Sequence, residues 1–172
     1  MRWLRSNRIQ SYLGGNLQRD PNTDGYCEVV LDRGRNTINL GTIWRTCGNM
    51  GVAATGQIGQ RYQRQSSDTI DTWRTRPHRV YLDAEEWYQT LPYAAQTVAV
   101  ELTEDAQSLV DFEHPKQAVY VFGPEDGSVS DSVLTKCQFK VQIPMAGPGN
   151  CLNQAQAVAM VLWDRRLKLG LV

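Results

Sequence analysis

Three segments of the chain combine glycine or proline with side chains that could do chemistry. The first, Asn39-Leu40-Gly41-Thr42-Ile43-Trp44-Arg45, sets a carboxamide six residues before a guanidinium. Asn39 can cap a helix, and Arg45 can grip a phosphate through two parallel hydrogen bonds. The second, Phe122-Gly123-Pro124-Glu125-Asp126-Gly127-Ser128, closes an apolar run. Its glycines allow a ligand close to the backbone, and its proline stiffens the turn. The third, Ile143 to Asn153, places Pro144, Gly147, Pro148 and Gly149 ahead of a long helical pattern, whose first N–H groups lack partners within the helix. It lacks the Gly-Lys-Ser/Thr ending of a phosphate-binding P-loop, and no G-x-G-x-x-G follows the first strand. Each segment alone also reads as ordinary structure: a capped helix, a tight turn, a strand-to-helix connection.

The elements that must position these segments alternate in type. Tyr26–Leu31 reads as a strand, with a helix opening at Asn39, ending at Gly48 to Gly51, and a short strand at residues 52–54. Residues 57–80 are polar and Arg-rich and read as a surface loop. Asp83 should cap a helix to Leu91, followed by a strand at residues 97–102 and a short helix at 104–110. Ala118–Phe122 is the strongest strand, Gln138–Ile143 the last one, and Leu152–Leu167 a long helix. About five strands alternating with helices predict an α/β fold with a mostly parallel sheet. In such sheets ligands bind beyond the carboxyl ends of the strands, so the three loops are expected to share one pocket.

Composition narrows the function classes. The 172 residues suffice for one domain, and no apolar run approaches a membrane span. A basic N-terminus without an apolar core argues against a signal peptide, and the expected address is cytoplasmic. The cysteines Cys27, Cys47, Cys137 and Cys151 form no C-x-x-C pair, so a metal site is not expected and they read as free thiols. Net charge is zero, but residues 1–79 hold 12 Arg and no Lys against 6 acidic residues. Residues 80–172 hold 6 basic against 12 acidic residues, so net +6 faces net −6. Such asymmetry suggests a localised anionic partner, and Arg suits planar phosphate contact.

In order and spacing, the three segments resemble the motifs of the SpoU/TrmH-type RNA 2′-O-ribose methyltransferases of the SPOUT superfamily. The first motif, N-x-G-x-x-x-R with a later glycine, corresponds to Asn39, Gly41, Arg45 and Gly51. The second, F-G-x-E-x-x-G, corresponds to Phe122, Gly123, Glu125 and, one residue early, Gly127. The third, I-P-M followed by S-L-N, corresponds to Ile143-Pro144-Met145 and Cys151-Leu152-Asn153, with cysteine in place of the usual serine. The resemblance covers about residues 26–168.

That resemblance implies an N-terminal arm at residues 1–25 and a SPOUT domain at 26–172 with a deep C-terminal trefoil knot. It implies S-adenosylmethionine as cofactor, held by Val100, Glu101, Leu102, Gly123, Ile143, Cys151 and Leu152. It implies Asn39, Arg45, Glu125 and Asn153 as catalytic residues, and a homodimer in which a partner's arginine completes the site. The expected substrate is RNA, tRNA ahead of rRNA. Besides Arg45, RNA contacts are expected from Arg74, Arg76, His78 and Arg79, in a basic segment that also carries Trp73. A knotted RNA-binding protein without catalysis, for which Cys151 is the hint, is the alternative of a different class. Methylation of a base nitrogen is a third, disfavoured because the first motif accompanies ribose methylation in the family.

Overall fold

The computed structural model describes residues 25–33, 37–59, 74, 76–92, 94–125, 127–147 and 151–172. The expected N-terminal arm and most of the 57–80 loop lie outside these residues. Among the described residues seven strands form one sheet: β1 (Tyr26–Asp32), β2 (Ala54–Ile58), β3 (His78–Tyr81), β4 (Gln96–Val100), β5 (Gln107–Ser108), β6 (Gln117–Phe122) and β7 (Phe139–Gln142). Their order is β3-β2-β1-β6-β4-β7-β5, and every pairing is parallel. The helices are α1 (Thr37–Asn49), α2 (Ala84–Gln89), α3 (Asp131–Leu134) and α4 (Gln154–Lys168).

Burial on both faces explains the composition of the central strands. Cys27, Val29 and Leu31 of β1 and Tyr120 of β6 face α1 and α4, where Ile43, Trp44, Val158 and Leu162 complete one core. Tyr26 and Val30 of β1 and Val119 and Val121 of β6 face the other side, with Trp87 of α2 and Val133 of α3. β1 also buries two carboxylates. Asp32 accepts the Ser130 N–H at 2.7 Å. Glu28 accepts from Tyr26 Oη at 2.6 Å, Arg79 Nη1 at 2.7 Å and Tyr81 Oη at 3.1 Å. Gly56 makes room for this cluster: a Cβ there would lie 3.0 Å from the Tyr81 ring and 3.3 Å from Glu28 Oε1.

Four local expectations are revised. Residues 78–81 form an edge strand rather than the end of a loop. Its polar residues carry no apolar signal because internal partners satisfy them, Thr55 for His78 and Glu28 for Arg79. Residues 104–110 are not a helix: β5 extends the sheet against Val141 and Gln142 of β7. β2 lies at Ala54–Ile58, beyond the expected residues 52–54, with Gly56 and Gln57 diluting its pattern. Helix α1 starts at Thr37, so Asn39 lies inside it and does not cap it. Asp83 does cap α2, accepting the Glu86 N–H at 2.9 Å.

His114 is buried and His78 half-buried. Burial pushes His78 down to about 3. Burial also lowers His114, against an opposing pull from Asp164. His114 bridges Tyr120 Oη at 2.6 Å and Asp164 Oδ2 at 2.8 Å, tying α4 to β6. Because the folded values lie below the ordinary 6.5, the unfolded chain binds these protons first. The histidine contribution to stability is intact above 6.5 and is lost as the pH falls toward the folded values. Urea unfolding should therefore show stability decreasing below pH 6.5, by about 1.4 kcal/mol per pH unit for His78 alone. His78→Gln should flatten that slope; a wild-type stability that does not fall between about pH 7 and pH 5 would contradict this.

Candidate active site

A cleft of about 350 Å³ opens at the carboxyl ends of β4, β6 and β7. Its size is that of a small-molecule site. All seven residues expected to hold a cofactor line it: Val100, Glu101, Leu102, Gly123, Ile143, Cys151 and Leu152. Phe122, Met145 and Ala157 add apolar wall, and Glu125 and Gln154 add polar groups. The four cysteines are free thiols, and Cys151 is the exposed one. Among the described lining residues the charged side chains are Glu101 and Glu125, both carboxylates. Charge of that sign favours a cationic ligand and opposes a nucleotide phosphate.

Beside the cleft, Glu125 ties the three motifs together. Its Oε1 accepts from Asn39 Nδ2 at 2.5 Å, Asn153 Nδ2 at 2.5 Å and the Gln154 N–H at 3.1 Å. Asn153 also donates to Asn39 Oδ1 at 3.2 Å. The start of α1 two residues before Asn39 is what leaves its amide available for this contact. Asn153 caps α4, its Oδ1 accepting from Ala155 and Gln156 N–H at 3.0 and 3.4 Å. The helix N–H groups expected to be open to a ligand are thus used by Asn153 and Glu125. The carboxylate also sits at the positive end of the helix dipole.

The other candidates fall elsewhere. Arg45 is exposed on α1 and outside the cleft lining. Six residues from Asn39, it points about 120° around the helix from it. Glu101 is occupied: Oε1 accepts the Leu102 N–H at 2.9 Å and Oε2 the Val129 N–H at 2.8 Å. It braces the loop instead of presenting an open carboxylate. Gly123 needs its missing side chain, because a Cβ would lie 2.6 Å from Val129 N.

The basic segment mostly serves the fold. Arg76 donates to Val52 O at 2.6 Å and Gly48 O at 3.3 Å, anchoring the end of α1. Arg79 pairs with buried Glu28 and keeps 14% side-chain exposure. His78 packs against Trp44, ring centroids 5.0 Å apart. Internal pairing therefore holds Arg76, His78 and Arg79 half-buried against the fold, while Arg74 is exposed. Asp32 and Gln154 were missed by sequence reasoning. A carboxylate ending a buried strand was a usable signal for Asp32; Gln154, in a polar helix start, offered none.

The sequence profile of the SpoU rRNA Methylase family matches residues 26–163. The chain belongs to that family. This SpoU-family chain is 30% identical over 151 residues to the tRNA (guanosine(18)-2′-O)-methyltransferase of Thermus thermophilus, covering 83% of the chain and 77% of that enzyme. It is 26% identical to the 23S rRNA (uridine(2479)-2′-O)-methyltransferase of Streptomyces viridochromogenes, over 86% of the chain and 55% of the relative. The AdoMet-bound rRNA methyltransferase of Sinorhizobium meliloti superposes with a TM-score of 0.75 at 25% identity, covering 84% of this chain and 57% of that structure. The SpoU-family chain thus spans little more than half the length of the last two proteins.

Proposed function

We propose that this chain transfers a methyl group from S-adenosylmethionine to a ribose 2′-hydroxyl of RNA, with tRNA the substrate of first choice. The observation that carries the reading is one cleft, lined by two motif loops, whose charged side chains are carboxylates and whose rim joins Asn39, Glu125 and Asn153. The cofactor fits: its adenosine suits the apolar walls, and its cationic groups suit the negative charge that Glu101 and Glu125 lend the cleft without direct contact to Glu101. Bound there, it supplies an electrophilic methyl group on a sulfonium. The relatives' names support the ribose hydroxyl as acceptor. The Thermus thermophilus relative, covered over three quarters of its length, favours tRNA, and the Streptomyces viridochromogenes relative keeps rRNA as the second reading.

In this reading Arg45 clamps the substrate phosphate and stabilises the negative charge that develops on the 2′-oxygen as its proton passes to solvent water. A guanidinium is too weak an acid to serve as the base itself. Asn39, Glu125 and Asn153 hold the two loops and both helices in register, so that the reactants meet in line. The other proposed RNA contact is Arg74. Arg45 stands outside the cleft of its own chain, which supports a homodimer in which a partner's arginine completes the site. Met160, Trp163 and Leu167, exposed at helical spacing on α4, supply an apolar stripe for that contact. The trefoil knot is supported by the return of the chain from β7 to the glycine loop, where Gln154 reaches Gly123 O. No described helix is long and apolar enough to cross a membrane, in keeping with the proposed cytoplasmic location.

Calorimetry with S-adenosylmethionine tests the cofactor: saturable binding is expected, and no binding at millimolar concentration would sink the reading. Cys151 lines the cleft where the family usually has serine. Cys151→Ser should keep methyl transfer within about threefold, since a hydroxyl donates at least as well as a thiol. Complete loss in steady-state assays would indicate thiol chemistry instead.

A further inference from the structure

Gln154, the first residue of α4, is 6% exposed and lies in the wall of the cleft. Its backbone N–H donates to Glu125 Oε1 at 3.1 Å. Its side-chain Nε2 donates to Gly123 O. One residue therefore holds the glycine loop at two points, by main chain and by side chain. The far limb of that loop is held from the opposite side. Glu101 accepts the Val129 N–H at 2.8 Å and Asp32 accepts the Ser130 N–H at 2.7 Å. Both carboxylates come from the ends of the strands that flank β6. Arg33 adds a bond from Nη2 to Ser128 O at 3.0 Å. The far limb is thus fixed from β1 and β4, and the near limb from α4.

We propose that Gln154 is a positioning residue for the methyl donor. Its carboxamide clips the Gly123 carbonyl to the first turn of α4. That clip sets the separation of the two cleft walls, the 123–127 loop and the strap at Cys151 and Leu152. Because Gln154 acts through the loop, it tunes affinity for the donor and leaves the chemistry of transfer alone. The inference rests on the methyltransferase reading above.

The test compares wild type with Gln154→Met, which keeps the side-chain volume and removes the donor. Three quantities are read: hydrogen exchange of the 123–130 amides in the protein without ligand, calorimetric affinity for S-adenosylmethionine, and the split of KM from kcat. Losing one neutral hydrogen bond in a preorganised wall corresponds to about tenfold in affinity. Exchange in the loop should quicken, Kd and KM for the donor should rise about tenfold, and kcat at saturating donor should stay within about twofold. Gln154→Asn keeps the amide but is one methylene short of the carbonyl; it should repeat the result if the methionine variant does not fold. Loop exchange and donor affinity equal to wild type in a folded variant would overturn the clip. A fall in kcat with KM unchanged would overturn it too. Quickened exchange in a protein whose wild type ignores S-adenosylmethionine would leave the clip standing and remove the methyltransferase reading.

Discussion

Arg45→Ala is expected to remove methyl transfer while leaving the affinity for S-adenosylmethionine within about twofold of wild type. Arg45 is exposed on α1, outside the cleft lining, and takes no part in the Asn39–Glu125–Asn153 contacts. Its loss should disturb neither the core nor the cofactor walls. What disappears is a positive charge at the substrate phosphate and the forming alkoxide. Removing one such stabilising group costs roughly 10²- to 10³-fold in rate, with a further loss if the phosphate is no longer held. Arg45→Lys should recover little, because an ammonium lacks the planar fork that grips a phosphate at two points. Calorimetry for binding and single-turnover methylation for rate separate the two effects. A variant that still transfers methyl at near wild-type rate would remove Arg45 from the mechanism.

Arg79→Ala should strongly destabilise the fold. Glu28 is fully buried, and its carboxylate takes its charge partner from Arg79 at 2.7 Å. Burial pushes the Tyr26 and Tyr81 hydroxyls far above their ordinary value, so both remain protonated donors and neither can replace the lost cation. An uncompensated buried charge costs about 3–5 kcal/mol. That is a large share of the roughly 5–15 kcal/mol that holds a domain folded. The paired replacement Glu28→Gln with Arg79→Met should cost much less, because it removes both charges. Urea unfolding of the two variants beside wild type reads the difference. A loss under about 1 kcal/mol for Arg79→Ala would show that the buried pair carries little of the fold's stability.

The alternation of elements was legible because the strong strands are buried on both faces. Val29-Val30-Leu31 and Ala118–Phe122 read as continuous apolar runs for that reason. The edges were not legible. His78–Tyr81 and Gln107–Ser108 are polar, and their place in the sheet is decided by neighbours distant in sequence. The cleft was legible through its glycines and prolines, whose backbone demands survive in any one-dimensional reading. The roles of individual polar residues were less so. Glu101 as a loop brace, Gln154 as a clip and Arg79 as the partner of Glu28 depend on pairs separated by 28, 31 and 51 residues. A basic segment on paper became internal structure because a buried carboxylate and open carbonyls were waiting for it.

In the proposed reaction the ribose 2′-oxygen of RNA receives the methyl group. The most direct measurement incubates RNA with the protein and S-adenosylmethionine, digests the RNA to nucleosides and separates them by mass spectrometry. A new nucleoside is expected whose added methyl mass fragments with the ribose, absent when Arg45→Ala replaces wild type. A methyl mass that stays with the base, or no new nucleoside from a protein that binds the cofactor, would contradict it.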